Sequence, residues 1–322
     1  MKKKLLVIMM PFSPEYRAAL DARAKDMEIA YCEREAPTDE QLRLASIIMG
    51  NPPPKRLRLC ERLEWLQLQT AGFDAYSAPS VMPEGAALCS CSGAYGLTIS
   101  EYMVGTTLSV MKKLPIYRDQ QRSHVWANAG PVRIVARSSV LVVGFGDIGS
   151  QYARKMAALS ANVSAIRRVA TDKPDYLEAV YSTDRMDDVL PNFDIVALCL
   201  PNNAETAGMF NRARIERMKR GAILLNIGRG AAVETDALCD ALESGALGAA
   251  ALDVTDPEPL PPEHRLWNIG SALITPHAAG GHEFGEIYPS IIGIWLDNLR
   301  RYLAGEPLIN LIDIRTGHRA GR

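Results

Sequence analysis

The stretch Ser138–Arg168 limits what this chain can fold into more than any other. A short apolar run, Val140–Val143, passes straight into Gly144, Gly146 and Gly149, spaced as GxGxxG. Ile148, Tyr152, Met156 and Leu159 then recur at helical spacing, and Asn162–Ile166 alternates like a strand. Strand, glycine turn, helix and strand in that order form the setting in which such a turn holds a dinucleotide. Gly144 permits the tight exit from the strand and Gly146 lets the backbone approach a pyrophosphate. Gly149 lets the helix close on the sheet, and the first turn, with Asp147 and Ile148, offers free N–H groups to phosphate.

The end of the second strand bears on which dinucleotide. An acidic residue about 20 positions past the glycines normally accepts the ribose 2′-hydroxyl of NAD. Here Arg167 and Arg168 stand in that place, and the nearest carboxylate, Asp172, lies beyond them. A guanidinium pair suits a 2′-phosphate through charge-assisted, forked hydrogen bonds, so NADP is expected ahead of NAD.

The rest of the chain fits an α/β protein of two domains, as its 322 residues allow. From Lys4 to Cys91 short strand-like runs alternate with helical ones, which implies βα units and a mostly parallel sheet. The pattern predicts helices at Glu15–Lys25, Thr38–Leu44 and Lys55–Leu63, and a long one from Thr98 to Trp126 interrupted only by Pro115. A last amphipathic helix is expected over Glu283–Leu303, carrying Trp295 and Leu299.

A formal charge of -1 provides no field to recruit nucleic acid or an anionic membrane. The six cysteines form no CxxC or zinc spacing and read as reduced thiols, so a cytoplasmic setting is expected. The opening MKKKLLVIMMPF is cut short by Pro11 and reads as a first strand rather than a leader.

Three segments place polar residues just past apolar runs: Asn226–Gly230, Asp253–Pro261 and Thr275–Gly280. Ligands of open α/β sheets bind outside the carboxyl ends of the strands, so these segments should converge. Together they offer a cation, a carboxylate and an imidazole.

At this point the chain resembles the D-isomer-specific 2-hydroxyacid dehydrogenase family, which includes glyoxylate/hydroxypyruvate reductases, phosphoglycerate dehydrogenases and D-lactate dehydrogenases. The resemblance is carried in order by QTAGFD, VGFGDIG, PNNAETAGMF, NIGRG, EPLP, TPHAAG and NLRRYLAGEPL. It implies two doubly wound parallel-sheet domains. A larger Rossmann dinucleotide-binding domain, residues 99–285, is inserted into a smaller flavodoxin-like substrate domain, residues 1–98 with 286–322. It also implies NAD(P)-dependent interconversion of a small 2-oxo acid and its D-2-hydroxy acid, without metal, by a homodimer joined through the cofactor domain. Thr98–Val135, with Tyr117 and Trp126, is the segment expected at that contact.

By the same resemblance Arg229 binds the substrate carboxylate, His277 is the general acid and Glu258 orients His277. Asp253 meets the nicotinamide carboxamide, and Thr206 and Ile227 belong to the cofactor's surroundings. The Ala71 and Gly72 N–H groups hold the substrate carboxylate. The pocket wall is expected from Gly50–Pro54, Phe73–Tyr76, His282 and Tyr288. Two departures stand out: Arg133–Ser139 lacks the family's Leu-x-Gly-Lys-like lead-in, and the Arg167–Arg168 pair replaces the acidic residue of NAD-using members. A zinc hydrolase is disfavoured because no HExxH-like spacing occurs. A dinucleotide-sensing scaffold or corepressor of the same fold is the competing reading, though Arg229, Glu258 and His277 are all in place.

Overall fold

The computed structural model describes residues 3–33, 35–78, 80–168, 173–281 and 285–320. The chain divides into two compact units, Met1–Tyr95 with Phe284–Arg322, and Gly96–Glu283, so the second is an insertion in the first.

The first unit is built on strands β1 (Lys4–Ile8), β2 (Met27–Tyr31), β3 (Ala45–Met49), β4 (Trp65–Gln67) and β5 (Ala87–Cys89), all parallel, in the order β2-β1-β3-β4-β5. That is the flavodoxin-like order. Its strands are apolar at successive positions because both faces are covered. Leu6, Ile8, Ile47 and Met49 pack against Trp295 and Leu299, while Leu5, Val7, Ile48 and Leu66 face Leu42 and Leu57. The helix Tyr288–Ala304 is latched to the sheet through buried polar groups. Asn298 Nδ2 donates to Gln67 Oε1 at 2.7 Å, and Trp295 Nε1 donates to the Leu68 carbonyl at 3.1 Å. Thr38 caps Asp39–Leu44 with a reciprocal Gln41 bond, as the sequence spacing suggests. Lys55–Leu63 forms only a 3-10 turn at Pro54–Leu59, since the prolines at 52–54 leave few donors with which to start an α-helix.

The second unit carries β6 (Ser139–Val143), β7 (Asn162–Arg167), β8 (Ala179–Ser182), β9 (Ile195–Leu198), β10 (Ala222–Asn226), β11 (Leu247–Leu252) and β12 (Ala272–Ile274). They form one parallel sheet in the order β12-β11-β10-β9-β6-β7-β8, the Rossmann arrangement extended by a strand. The order reverses between β6 and β9, and the carboxyl ends of both strands open there. β8 is absent from the sequence reading: it is a short, half-exposed edge strand with little apolar contrast.

The long pattern from Thr98 to Trp126 resolves into two helices, Gly96–Met111 and Leu114–Arg122. Lys113 turns the chain at φ 58° and Pro115 sits in the first turn of the second helix, where its missing N–H costs nothing. Trp126 falls beyond both and is fully exposed. The unusual lead-in has a structural use: Arg133 donates to Asp194 Oδ1 at 3.0 Å and to the Gly221 carbonyl at 2.7 Å. It thereby ties its segment to the base of the sheet.

Candidate active site

The glycine turn leaves β6 with a division of labour that steric contacts define. A Cβ on Gly144, whose φ is +96°, would lie 2.5 Å from the Cys199 carbonyl oxygen at the end of β9. A Cβ on Gly149 would lie 2.1 Å from the Gly144 carbonyl oxygen, so the helix Asp147–Ala158 sits directly on the turn. Both positions are closed to larger residues by the protein itself. Gly146, which caps that helix, has nothing among the described residues within 4 Å of where a Cβ would project. Its openness has no packing reason, and it is the feature a diphosphate at the helix N-terminus requires.

The loop after β9 closes on itself. Asn203 Oδ1 accepts from the Glu205 and Thr206 N–H groups, and the Thr206 hydroxyl donates to the Pro201 carbonyl at 2.7 Å. Thr206 is therefore a brace of the loop. The Asn203 Nδ2 group is buried with no partner among the described residues, an arrangement that costs about 1–3 kcal/mol until a ligand or water satisfies it. Asn203 was not singled out from the sequence, although an Asx turn was legible in its spacing to Thr206. The residues thus fit a dinucleotide: an open glycine, a helix N-terminus and an orphaned donor lie around the carboxyl ends of β6 and β9.

Past β10, Asn226 folds the NIGRG turn. Its Oδ1 accepts from the Gly228 N–H and its Nδ2 donates to the Arg229 carbonyl at 2.9 Å. A Cβ on Gly228 would meet Leu200 backbone at 2.5 Å, and one on Gly230 would meet the Thr255 carbonyl at 1.9 Å. The turn is wedged between the loops after β9 and β11, which fixes the backbone that carries Arg229. The Arg229 guanidinium donates to the Gly228 carbonyl at 2.7 Å. Ile227 is buried beneath the turn.

Past β11 and β12 the two remaining segments meet. His277 Nδ1 lies 2.6 Å from Glu258 Oε1, with both side chains about half exposed. A carboxylate on Nδ1 fixes that nitrogen as the N–H and leaves Nε2 as the exchanging position. His277 sits at φ 53°, a left-handed conformation that a non-glycine residue adopts at a cost of about 1–3 kcal/mol. The surroundings hold it there. The His277 N–H donates to the Asp253 carbonyl at 2.8 Å, and the Asp253 carboxylate takes the Ala278 and Ala279 N–H groups at 2.8 and 3.0 Å. Asp253 is almost fully buried, and Thr275 donates to its Oδ1 at 2.6 Å. Among the described residues three of about four lone-pair positions on this carboxylate are engaged, which leaves one on Oδ2. Thr275 is another residue the sequence reading passed over; its place between a strand end and Pro276-His277 was the available signal.

Arg167 ends β7 and is half-buried, and Arg168 follows it, exposed. Asp172 and His282 lie outside the described residues.

In the other unit, the turn after β4 presents Ala71 and Gly72, whose N–H groups have no partner among the described residues. Asn51 shapes that turn by accepting from the Gln69 N–H at 3.0 Å and donating to Thr70 Oγ1 at 3.1 Å. Phe73 and Tyr76 are buried in that unit's core, with the Tyr76 hydroxyl donating to the Pro52 carbonyl. Tyr288 donates to the Pro11 carbonyl at 2.6 Å.

Comparison with known proteins agrees with this architecture. Residues 104–279 match the family model described as D-isomer specific 2-hydroxyacid dehydrogenase, NAD binding domain. A glyoxylate reductase of Thermofilum pendens is 30% identical over 67% of this chain and 66% of its own length. A solved D-isomer specific 2-hydroxyacid dehydrogenase family protein from Aeromonas salmonicida superposes with a TM-score of 0.83 at 29% identity, covering 97% of this chain and 100% of its own. The D-isomer specific 2-hydroxyacid dehydrogenase of Xanthobacter autotrophicus, solved in complex with NADPH and MES, gives 0.82 at 26% identity over 98% of this chain and 100% of its own. With its Rossmann sheet, its glycine turn and a family match spanning more than half its length, the chain belongs to the D-isomer specific 2-hydroxyacid dehydrogenase family.

Proposed function

We propose that the protein is an NADPH-preferring reductase of small 2-oxo acids, of the glyoxylate/hydroxypyruvate kind. The observation that carries this reading is the His277–Glu258 contact, at the carboxyl edge of the same sheet that carries the glycine turn. Arg229 pairs with the substrate carboxylate, which a planar and permanently charged group does well. The bound reduced nicotinamide supplies the hydride that the carbonyl carbon accepts. His277 gives the proton at Nε2 to the carbonyl oxygen as charge develops there, and Glu258 stabilises the imidazolium while holding the ring. In the reverse direction the same nitrogen removes the hydroxyl proton. Asp253 Oδ2, which takes only the Ala279 N–H among the described residues, would be the acceptor for the nicotinamide carboxamide.

Two finer points rest on separate observations. NADPH preference is supported by Arg167 and Arg168 at the end of β7 and by the NADPH held in the Xanthobacter relative. A homodimer is supported by exposed Leu97, Leu114, Val125, Trp126, Val132 and Ile134, an apolar run that a second copy would cover. Sedimentation or light scattering that finds a monomer would remove the dimer.

The reading is tested by following reduced-nicotinamide absorbance with NADPH and NADH in parallel against glyoxylate, hydroxypyruvate, pyruvate, 2-oxoisocaproate and phenylpyruvate. Turnover of a small member, faster with NADPH, is expected. Faster turnover with NADH would overturn the role given to Arg167 and Arg168. No turnover with any acid would overturn the reductase reading.

A further inference from the structure

A chain of hydroxyl groups runs from the helix Gly96–Met111 to the His277 turn, and the proton-transfer scheme above makes no use of it. The Tyr102 hydroxyl meets Thr275 Oγ1, and Thr275 Oγ1 donates to Asp253 Oδ1 at 2.6 Å. A threonine hydroxyl has one proton. Since that proton points at Asp253, the threonine oxygen must accept from Tyr102, and the chain has one direction: tyrosine to threonine to aspartate. Burial, helped by the nearby Asp253 charge, holds the Tyr102 phenol above its ordinary value in spite of the Thr275 contact, so the donor keeps its proton. The far end of the chain is the carboxylate that receives the Ala278 and Ala279 N–H groups, the two residues that follow His277. The Asp253 carbonyl receives the His277 N–H itself. The left-handed histidine is thus gripped at its own amide and at the two that follow, all by one residue whose carboxylate is aimed by Thr275.

We propose that Tyr102 is a positioning residue for His277, acting through Thr275 and Asp253 to hold the turn that aims the imidazole. This rests on the reading of His277 as the proton donor. The geometry behind it is specific: without the Tyr102 hydroxyl, Thr275 Oγ1 keeps only its bond to Asp253, and one of the two donors on Asp253 Oδ1 is less firmly aimed. Tyrosine is required for its hydroxyl and not for its ring, which phenylalanine would retain.

The test uses the full-length protein in four variants: Tyr102→Phe, Thr275→Val, Thr275→Ser and the Tyr102→Phe/Thr275→Val double. Amide hydrogen exchange at Ala278 and Ala279 is read by NMR without cofactor; kcat, KM for the 2-oxo acid and Kd for NADPH are read separately. Tyr102→Phe is expected to speed exchange of both amides about tenfold and to lower kcat about tenfold, the scale of one hydrogen bond. KM should stay within about twofold, because the substrate does not touch Tyr102 in this scheme, and the NADPH Kd likewise, because Thr275 engages Asp253 Oδ1 whereas the acceptor position assigned to the carboxamide is on Oδ2. Thr275→Ser should behave as wild type, and the double variant should be no worse than Thr275→Val, since the tyrosine acts only through the threonine. Unchanged exchange in Tyr102→Phe, additive effects in the double variant, or faster exchange with unchanged kcat would each overturn the proposal. Wild type that turns over no 2-oxo acid would instead overturn the reading of His277, while the exchange data would still report whether the hydroxyl chain holds the turn.

Discussion

Alanine at Gly146 and at Gly149 should give opposite phenotypes, although the two glycines lie three residues apart in one motif. At Gly149 the new methyl would enter 2.1 Å from the Gly144 carbonyl oxygen and 3.0 Å from Val142 Cγ1. The first overlap is roughly 1 Å inside tolerable contact and is against backbone. Gly144 has little room to recoil, because a Cβ built on it would already lie 2.5 Å from the Cys199 carbonyl oxygen. Overpacking of this kind costs about 3 kcal/mol. Helix propensity returns about 1 kcal/mol of it, since alanine is the better helix former. The net loss of about 2 kcal/mol lowers Tm by about 4–8 °C in a domain of this size. At Gly146 nothing among the described residues stands within 4 Å, and φ is -90°. The weaker N-cap costs under about 1 kcal/mol and is partly offset by lower unfolded-state entropy, so Tm should move by no more than about 2 °C. The methyl instead fills the space a diphosphate needs. Loss of one or two charge-assisted bonds there, about 1.5–3 kcal/mol, raises the NADPH Kd about 10–100-fold. Far-UV circular dichroism melts without cofactor and fluorescence titration with NADPH read the two effects separately. A Gly146→Ala protein that binds NADPH as wild type does, or a Gly149→Ala protein with unchanged Tm, would refute this division of roles.

Other expectations follow from the same geometry. His277→Ala should lower kcat by about 10²–10⁴-fold and leave the NADPH Kd nearly unchanged, measured by steady-state rates beside titration. Asp194, whose ionisation burial opposes, is nonetheless held below the usual carboxylate range by hydrogen bonds from Lys219 and from the backbone N–H and hydroxyl of Ser139. Its contribution to stability is therefore complete above about pH 4 and fades as pH falls through its depressed value. Asp194→Asn should cost about 2 kcal/mol at neutral pH by chemical denaturation, with the difference from wild type shrinking in acid. Burial pushes the thiols of Cys89, Cys91 and Cys199 up to about 12 and that of Cys60 up to about 11. Cys60, Cys89 and Cys91, which are buried, should resist thiol reagents in the native protein and react on unfolding, as absorbance of a released chromophore will show.

The sequence alone carried the cofactor motif and the alternation of βα units, because both are local: each glycine, and each apolar position of β6, answers to neighbours a few residues away. The resemblance singled out Arg229, Glu258 and His277, through short segments whose order along the chain is distinctive. Its mutual geometry was not. His277 and Glu258 are 19 residues apart, and only the parallel pairing of β11 with β12 brings their loops to one edge. The left-handed backbone at His277 and the grip of Asp253 on the following amides likewise depend on contacts across strands. Periodicity misread the break near Lys113, since a residue entering the left-handed region leaves no mark on an apolar pattern. It also passed over Tyr102, which lies in an ordinary helix more than 150 residues from the aspartate it supports. Local propensity and motif spacing are written in one dimension, whereas a hydroxyl chain or a closed-off glycine exists only once strands distant in sequence have been laid side by side.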